Sequence, residues 1–162
     1  MPSFLVKIFL FFAVFLTRAL KITQATQESY GQMCWLALPV IDIERAVAFY
    51  SQIFPWDISP NGVLHQRPGV KELYFFNSGD TLHGAFYVME DGFHVINHSI
   101  DFQDGLSVHP SFNVRNCKET LELVEKLGGK TQLHKTDLGG DMGHYARFID
   151  TEDNMIGIWS RI

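Results

Sequence analysis

The alternation of apolar and polar residues becomes regular from Cys34 onward. The stretch "CWLALPV", residues 34 to 40, predicts a short β-strand, and Asp42 follows it as the expected N-cap of a helix. One face of that helix should be buried, and it consists of Ala46, Val47, Phe49, Tyr50, Ile53 and Phe54. The first readable segment is therefore a strand followed by an amphipathic helix.

A second segment has the same order of elements. The stretch "VHPSFNV", residues 108 to 114, predicts a strand, and Asn116 with Glu119 three residues later has the spacing of a capping box. Gly128 and Gly129 should end the helix. The buried stripe of this second helix is Leu121, Leu123, Val124 and Leu127.

The two segments superpose at a constant offset of 74 residues, which pairs Val40 with Val114 and Asp42 with Asn116. Each half therefore predicts the order β-α-β-β-β, an α+β fold with modules at about residues 33–90 and 106–162. Residues 91–105 join the modules, either as a loop lying over a site or as a surface connection. The strand candidates after the helices are 62–65, 72–76 and 83–89, then 131–134, 144–149 and 155–159.

The first 32 residues differ in composition from the domain at 33–162. They contain an uncharged apolar run, residues 8 to 17, with Lys7 before it and Arg18 after it, and no acidic residue before Glu28. This pattern fits a secretory signal peptide, a mitochondrial presequence, or a leader that is not translated because synthesis begins at Met33. The run is too short to span a bilayer, so we expect no stable membrane span in the mature domain.

Composition narrows the class of function. The chain has 162 residues, is 46% hydrophobic and carries a formal charge of −5, which describes one globular domain. Its Lys and Arg residues are scattered, so it has no basic stripe for nucleic acid. Cys34 and Cys117 are too few for a disulfide scaffold and lack the spacing of a zinc or redox motif.

Three stretches resemble the vicinal-oxygen-chelate superfamily, which includes glyoxalase I, extradiol dioxygenases and the bleomycin- and fosfomycin-resistance proteins. They are "LPVIDIERAVAFYSQIFPW", "LVEKLGGKT" and "DMGHYARFIDTEDNMIGIW", and the resemblance covers about residues 33 to 160. It implies two βαβββ modules paired to form a cleft. Asp153 stands where the family usually has glycine, and because Asp tolerates positive φ we expect the turn to persist.

The resemblance also implies where metal ligands would stand, since metal-dependent members place His or Glu on the first and last strands of each module. The corresponding positions are Trp35 and His83 in the first module, or Gly84 after a one-residue slip, and His109 and Gly157 in the second. No carboxylate is among them. We therefore expect no cofactor, with a divalent metal held by His83 and His109 as the alternative.

His94 and His98 in the linker could add ligands to such a site, although the segment lacks helical periodicity and solvated loop histidines are the simpler interpretation.

Strand alternation extends these positions into a predicted cleft wall. Met155 and Trp159 should flank Gly157, whose missing side chain should leave open volume, although Met155 could equally belong to the core. His144 and Arg147 should point to opposite faces of their strand, so one of them enters the cleft. The predicted ligand-binding residues are Trp35, His83, His109, Ser111, Asn113, Met155, Gly157 and Trp159.

Two functions follow from this wall. In the first, the protein binds a small, partly aromatic molecule without metal. In the second, it is a lyase, isomerase or dioxygenase with a His-only metal site, or a metal-free enzyme in which His109 or His83 is a general base. The expected partner is a small-molecule ligand or substrate, and a homodimer is left open.

Overall fold

Two mixed β-sheets, each followed through one helix, organise the chain. The structure, a computed structural model, describes residues 32–101 and 105–162, so the targeting predictions made for the N-terminal segment lie outside the described residues. In the first module the elements are β1 (Leu36–Val40), α1 (Ile43–Ile53), β2 (Asp57–Ile58), β3 (Val63–Leu64), β4 (Val70–Ser78) and β5 (Leu82–Met89). In the second they are β6 (Ser111–Asn113), α2 (Cys117–Lys126), β7 (Lys130–Asp137), β8 (His144–Ile149) and β9 (Met155–Ser160).

The order of strands is the same in both sheets. The first sheet runs β1-β5-β4-β2, with β3 also paired to β4, and the second runs β6-β9-β8-β7. In each, the first strand lies parallel to the last, while the other pairs are antiparallel. The α+β fold with two paired modules is thus confirmed, and the two-residue strand β2 is an addition that was not predicted.

Both helices begin at the predicted N-caps. The Asp42 carboxylate accepts a hydrogen bond from the Arg45 backbone N–H at 3.0 Å, and the Asn116 side chain accepts one from Lys118 N–H at 2.9 Å. Glu119 also contacts the cap, because the Asn116 amide donates to its carboxylate at 3.1 Å. Each cap satisfies a backbone donor that the first helical turn would otherwise leave unpaired.

One core holds the two modules together. The inward faces of both sheets and both helices contribute to a single cluster of buried apolar side chains. Trp56 stacks on Phe76 with ring centroids 4.4 Å apart, and Phe54 of the first module contacts Phe112 of the second at 4.8 Å. Because each such ring buries a large apolar surface, about 1.5–3 kcal/mol per side chain favours this arrangement.

The turn between β8 and β9 ties the second module to the first. The Glu152 side chain, 0% exposed, accepts hydrogen bonds from Ile41 N–H at 2.8 Å, Asp42 N–H at 3.0 Å and Arg45 Nε at 2.7 Å. Asp153 in this turn has φ of 61°, so it adopts the positive φ expected of it.

Two buried residues reinforce the same junction. The Tyr50 hydroxyl donates to the Asp150 carboxylate at 2.6 Å. Burial raises the pKa of the Asp150 carboxyl, although its hydrogen bonds with Tyr50 and Asn154 act in the opposite direction. Burial and the neighbouring Asp150 raise the pKa of the Tyr50 hydroxyl well above its ordinary value.

None of the helices among the described residues is long and apolar enough to cross a membrane.

Candidate functional site

The predicted wall in the second module lies on one face of its sheet, opposite the core. Gly157 on β9 is paired with Ser111 on β6 and with Arg147 on β8, so these three positions share a face. The neighbours Ala146 and Phe148 point the other way and are buried in the core. We call this outward side the cleft face, and its residues are His109, Ser111, Tyr145, Arg147, Ile149, Met155, Gly157 and Trp159.

The space beside Gly157 is filled rather than open. A Cβ atom at this position would collide with the Ser111 hydroxyl and would lie 2.8 Å from the hydroxyl of Tyr145. The expectation of open volume between Met155 and Trp159 is therefore wrong, because two hydroxyl-bearing side chains converge on the glycine. Gly157 instead permits their close approach to the β9 backbone.

Both ring nitrogens of His109 have partners. Nδ1 lies 2.7 Å from the Ser107 carbonyl oxygen, and Nε2 lies 2.5 Å from the Tyr145 hydroxyl. A carbonyl can only accept, so Nδ1 carries the proton, and in the neutral ring Nε2 then accepts from Tyr145. The lone pair that a metal ion would need is occupied by this hydrogen bond.

The strand register moves the matching position in the first module from His83 to Ala85. Gly157 pairs with Ser111, and the residue 74 positions before Ser111 is Ala37, which pairs with Ala85. Gly157 and Ala85 are only 72 residues apart, because the connection from helix to third strand is two residues shorter in the second module. Ala85 is 0% exposed and has no ligating atom, and His83 is exposed.

The first module has its own outward face, on which Trp35 lies. Its indole is 41% exposed and meets Phe75 edge-on with ring centroids 6.0 Å apart. A cavity of about 250 Å³ lies nearby on this face, and neither Trp35 nor His83 lines it. The residues that line it are Ala37, Pro39, Arg67, Pro68, Val70, Tyr87, Met89 and Phe93.

The linker between the modules folds back onto β9. The Asn97 side chain accepts from the Met155 backbone N–H at 2.6 Å and donates to the Met155 carbonyl at 3.0 Å. Ser107 in turn donates a hydrogen bond to the Asn97 carbonyl. Asn97 thus pairs with β9 beyond the end of β6, and the linker lies over the second sheet.

Beneath the linker is a cavity of about 490 Å³, which we call the linker cavity. Met155 is fully buried and forms part of its lining, so this residue belongs to the cleft face although no water reaches it. The lining residues are Ile96, His98, Ser99, Ile100, Gly105, Lys130, Thr131, Gln132, Ile149, Asp153 and Met155.

His94 and His98 are more enclosed than solvated loop residues. Both lie in irregular backbone, so their spacing places them on no helix. The Nε2 atom of each is nevertheless buried without a hydrogen-bond partner. The interpretation of these histidines as solvated is therefore wrong for these atoms.

Trp159 and Asn113 mark the far end of the cleft face. The Trp159 indole N–H donates to the Met142 carbonyl at 2.8 Å, which fixes the ring under the loop before β8. Asn113 is paired with Trp159 across the strands, but it is exposed and lines a groove at the end of α1 and the start of α2. The structure therefore separates Asn113 from the linker cavity.

The residues present do not fit a family-type metal ion. By register the four positions hold Trp35, Ala85, His109 and Gly157, and the one imidazole among them is already hydrogen bonded on both nitrogens. Within residues 32–101 and 105–162, no three His, Cys, Asp or Glu side chains converge as a metal-binding group. Structural and catalytic zinc sites need three or more protein ligands.

Of the two candidates on β8, Arg147 is the one on the cleft face. It is 8% exposed, and its Nε and Nη1 atoms are buried without a hydrogen-bond partner. Tyr145, two residues earlier on the same face, was not predicted as a site residue. Its parity with Arg147 places it on that face, but its contact with His109 spans 36 residues and has no local signal in the sequence.

Comparison with known proteins supports the same fold. No family model matches the chain. A "Glyoxylase-like domain-containing protein" of Didymella fabae is 31% identical over 136 residues, covering 82% of this chain and 95% of the relative.

Two solved structures share the fold at lower identity. The fosfomycin resistance protein FosX from Listeria monocytogenes has a TM-score of 0.56 at 16% identity, over 80% of this chain and 93% of its own. TnmS3, an antibiotic binding protein from Streptomyces sp. CB03234, has a TM-score of 0.52 at 14% identity, over 83% of this chain and 98% of its own.

Proposed function

This chain belongs to the glyoxalase-like, vicinal-oxygen-chelate superfamily, and we propose that it binds a small, partly aromatic molecule in the linker cavity without the aid of a metal ion. The observation that carries this proposal is the cavity itself. At about 490 Å³ it falls within the usual size range of small-molecule sites, roughly 300–1,000 Å³.

The lining of the linker cavity suits such a ligand. Ile96, Ile100, Ile149 and Met155 supply apolar surface, and a thioether contacts aromatic rings favourably. His98 and Lys130 add polar groups that can fix the orientation of the ligand. The fold neighbour TnmS3, named as an antibiotic binding protein, supports a role in binding by analogy of fold.

A second candidate function rests on the pair formed by His109 and Tyr145. A neutral imidazole that accepts from a tyrosine hydroxyl at 2.5 Å is a potential general base when a substrate displaces that hydroxyl. In this alternative the protein is a metal-free lyase or isomerase. The binding role is preferred because the hydrogen bond to Tyr145 already occupies Nε2.

We expect a bulky residue at Ile96 to block ligand binding, because Ile96 lines the cavity from the linker side. Small aromatic compounds are screened against the purified chain by thermal shift, and hits are titrated by calorimetry. Ile96→Trp should weaken binding of every hit by about tenfold or more, a loss of at least about 1.4 kcal/mol.

The matched control is Val95→Trp, since Val95 is exposed and does not line the cavity. It should bind the hits as the native protein does. Equal binding by both variants would place the site elsewhere. Mass spectrometry of the recovered ligand separates the two functions, because an altered compound whose conversion stops in His109→Ala would show an enzyme.

A further inference from the structure

The guanidinium of Arg147 is the most unusual buried group in the described part of the chain. We propose that the ligand of the linker cavity carries an oxyanion, of which a carboxylate is the simplest, and that Arg147 binds it. This inference rests on the proposed function and names the chemical class of its ligand.

Arg147 is placed next to the floor of the linker cavity. Ile149 and Met155 form part of that floor and are paired across β8 and β9, as are Arg147 and Gly157 two residues along. Alternate residues of a strand share a face and are about 7 Å apart. The side chain of Arg147 therefore lies one pleat from the apolar floor, opposite a residue that has no side chain.

No carboxylate neutralises this charge. Among the described residues, the ion pairs within 4.0 Å join Arg45 to Asp42 and Glu152, and Lys118 to Glu122; none includes Arg147. An arginine does not escape burial by losing its proton, since its pKa is too high. A buried, unpaired guanidinium is costly, and an anion that enters the cavity would compensate it.

The cavity adds further positive character. Lys130 lines it, and His98 presents to it a buried Nε2 atom without a partner. Asp153 is the one acidic side chain among the lining residues. An oxyanion at Arg147 would accept charge-assisted hydrogen bonds from Nε and Nη1, which are about twice as strong as those between neutral groups. A ligand with an apolar ring and a carboxylate would match both the floor and the arginine.

The test compares 1-naphthoate with its neutral analogue 1-naphthamide, which has nearly the same shape. Both are titrated into the full chain by calorimetry. The native protein should bind naphthoate about tenfold or more tightly than naphthamide, because only the former carries the charge that Arg147 lacks. Arg147→Met and Arg147→Gln should lose this preference while their affinity for naphthamide stays unchanged. Arg115→Gln, at an exposed arginine outside the cavity, should behave as the native protein.

The possible outcomes separate the two proposals. Equal affinity of the native protein for both probes would overturn the role of Arg147 and leave the binding function standing. So would a preference for naphthoate that survives in both Arg147 variants. Failure of the native protein to bind either probe, together with silence in the wider screen, would remove the proposed function and this inference with it.

Discussion

Replacing Gly157 by glutamate should destabilise the protein by more than about 4 kcal/mol. The new side chain would collide with the Ser111 hydroxyl at its first carbon and with the Tyr145 hydroxyl 2.8 Å away. Overpacking of this kind costs about 1–3 kcal/mol, and enclosing a carboxylate without a partner adds to it. The free energy of unfolding from urea titration, compared between Gly157→Glu and the native chain, measures the effect.

Two variants show whether the collision is the cause. Gly157→Ala introduces the Cβ atom alone and should cost less than the glutamate. In a Tyr145→Phe background the alanine should cost less again, because the hydroxyl at 2.8 Å is gone. A Gly157→Glu protein within about 1 kcal/mol of native stability would show that the cleft face has room for a carboxylate.

The second large effect is expected at Glu152. Alanine there would leave the backbone N–H groups of Ile41 and Asp42 without their acceptor and would remove the bond from Arg45 Nε. Losing one partner of a buried charged network costs about 3–5 kcal/mol. Because the Arg45 side chain is half exposed, we assign most of this loss to the two orphaned backbone donors.

The same urea titration checks this expectation. Glu122→Ala is the matched control, since its carboxylate makes an exposed pair with Lys118 and should contribute no more than about 0.5 kcal/mol. Glu152→Gln should fall between, because one amide oxygen cannot replace two carboxylate oxygens. If Glu152→Ala were as stable as Glu122→Ala, the turn after β8 would not be what joins the modules.

Local patterns in the sequence predicted most of the fold. Asp42 and Asn116 are N-caps in the structure, because capping depends on the cap residue and the turn that follows it. The strand at 144–149 was predicted at its observed bounds, His144–Ile149. The two-residue strand β2 was missed, since so short a segment has no periodicity to detect.

The site was less predictable because its contacts are long-range. The parity of strand residues correctly placed Ser111, Met155 and Trp159 beside Gly157. It could not show that the hydroxyls of Tyr145 and Ser111 occupy the space above the glycine. His83 was chosen by a constant offset, which failed because the modules differ in length between the helix and the third strand.

Non-local pairing also decides the role of two other residues. Asn97 binds β9 across 58 residues, and Glu152 binds the start of α1 across 107 to 111. Neither contact has a signature in the surrounding sequence. In both cases a polar side chain satisfies backbone groups that the strand ladders and helix leave open.

The central claim is that the cleft binds its ligand without a metal ion, because a Tyr145–His109 hydrogen bond and Gly157 stand where metal ligands would be. Elemental analysis of the purified chain, combined with calorimetric titration by Zn²⁺, tests this most directly. We predict substoichiometric metal after purification and no tight site in the titration. Stoichiometric Zn, Fe, Ni or Mn that is lost in His109→Ala would contradict the account.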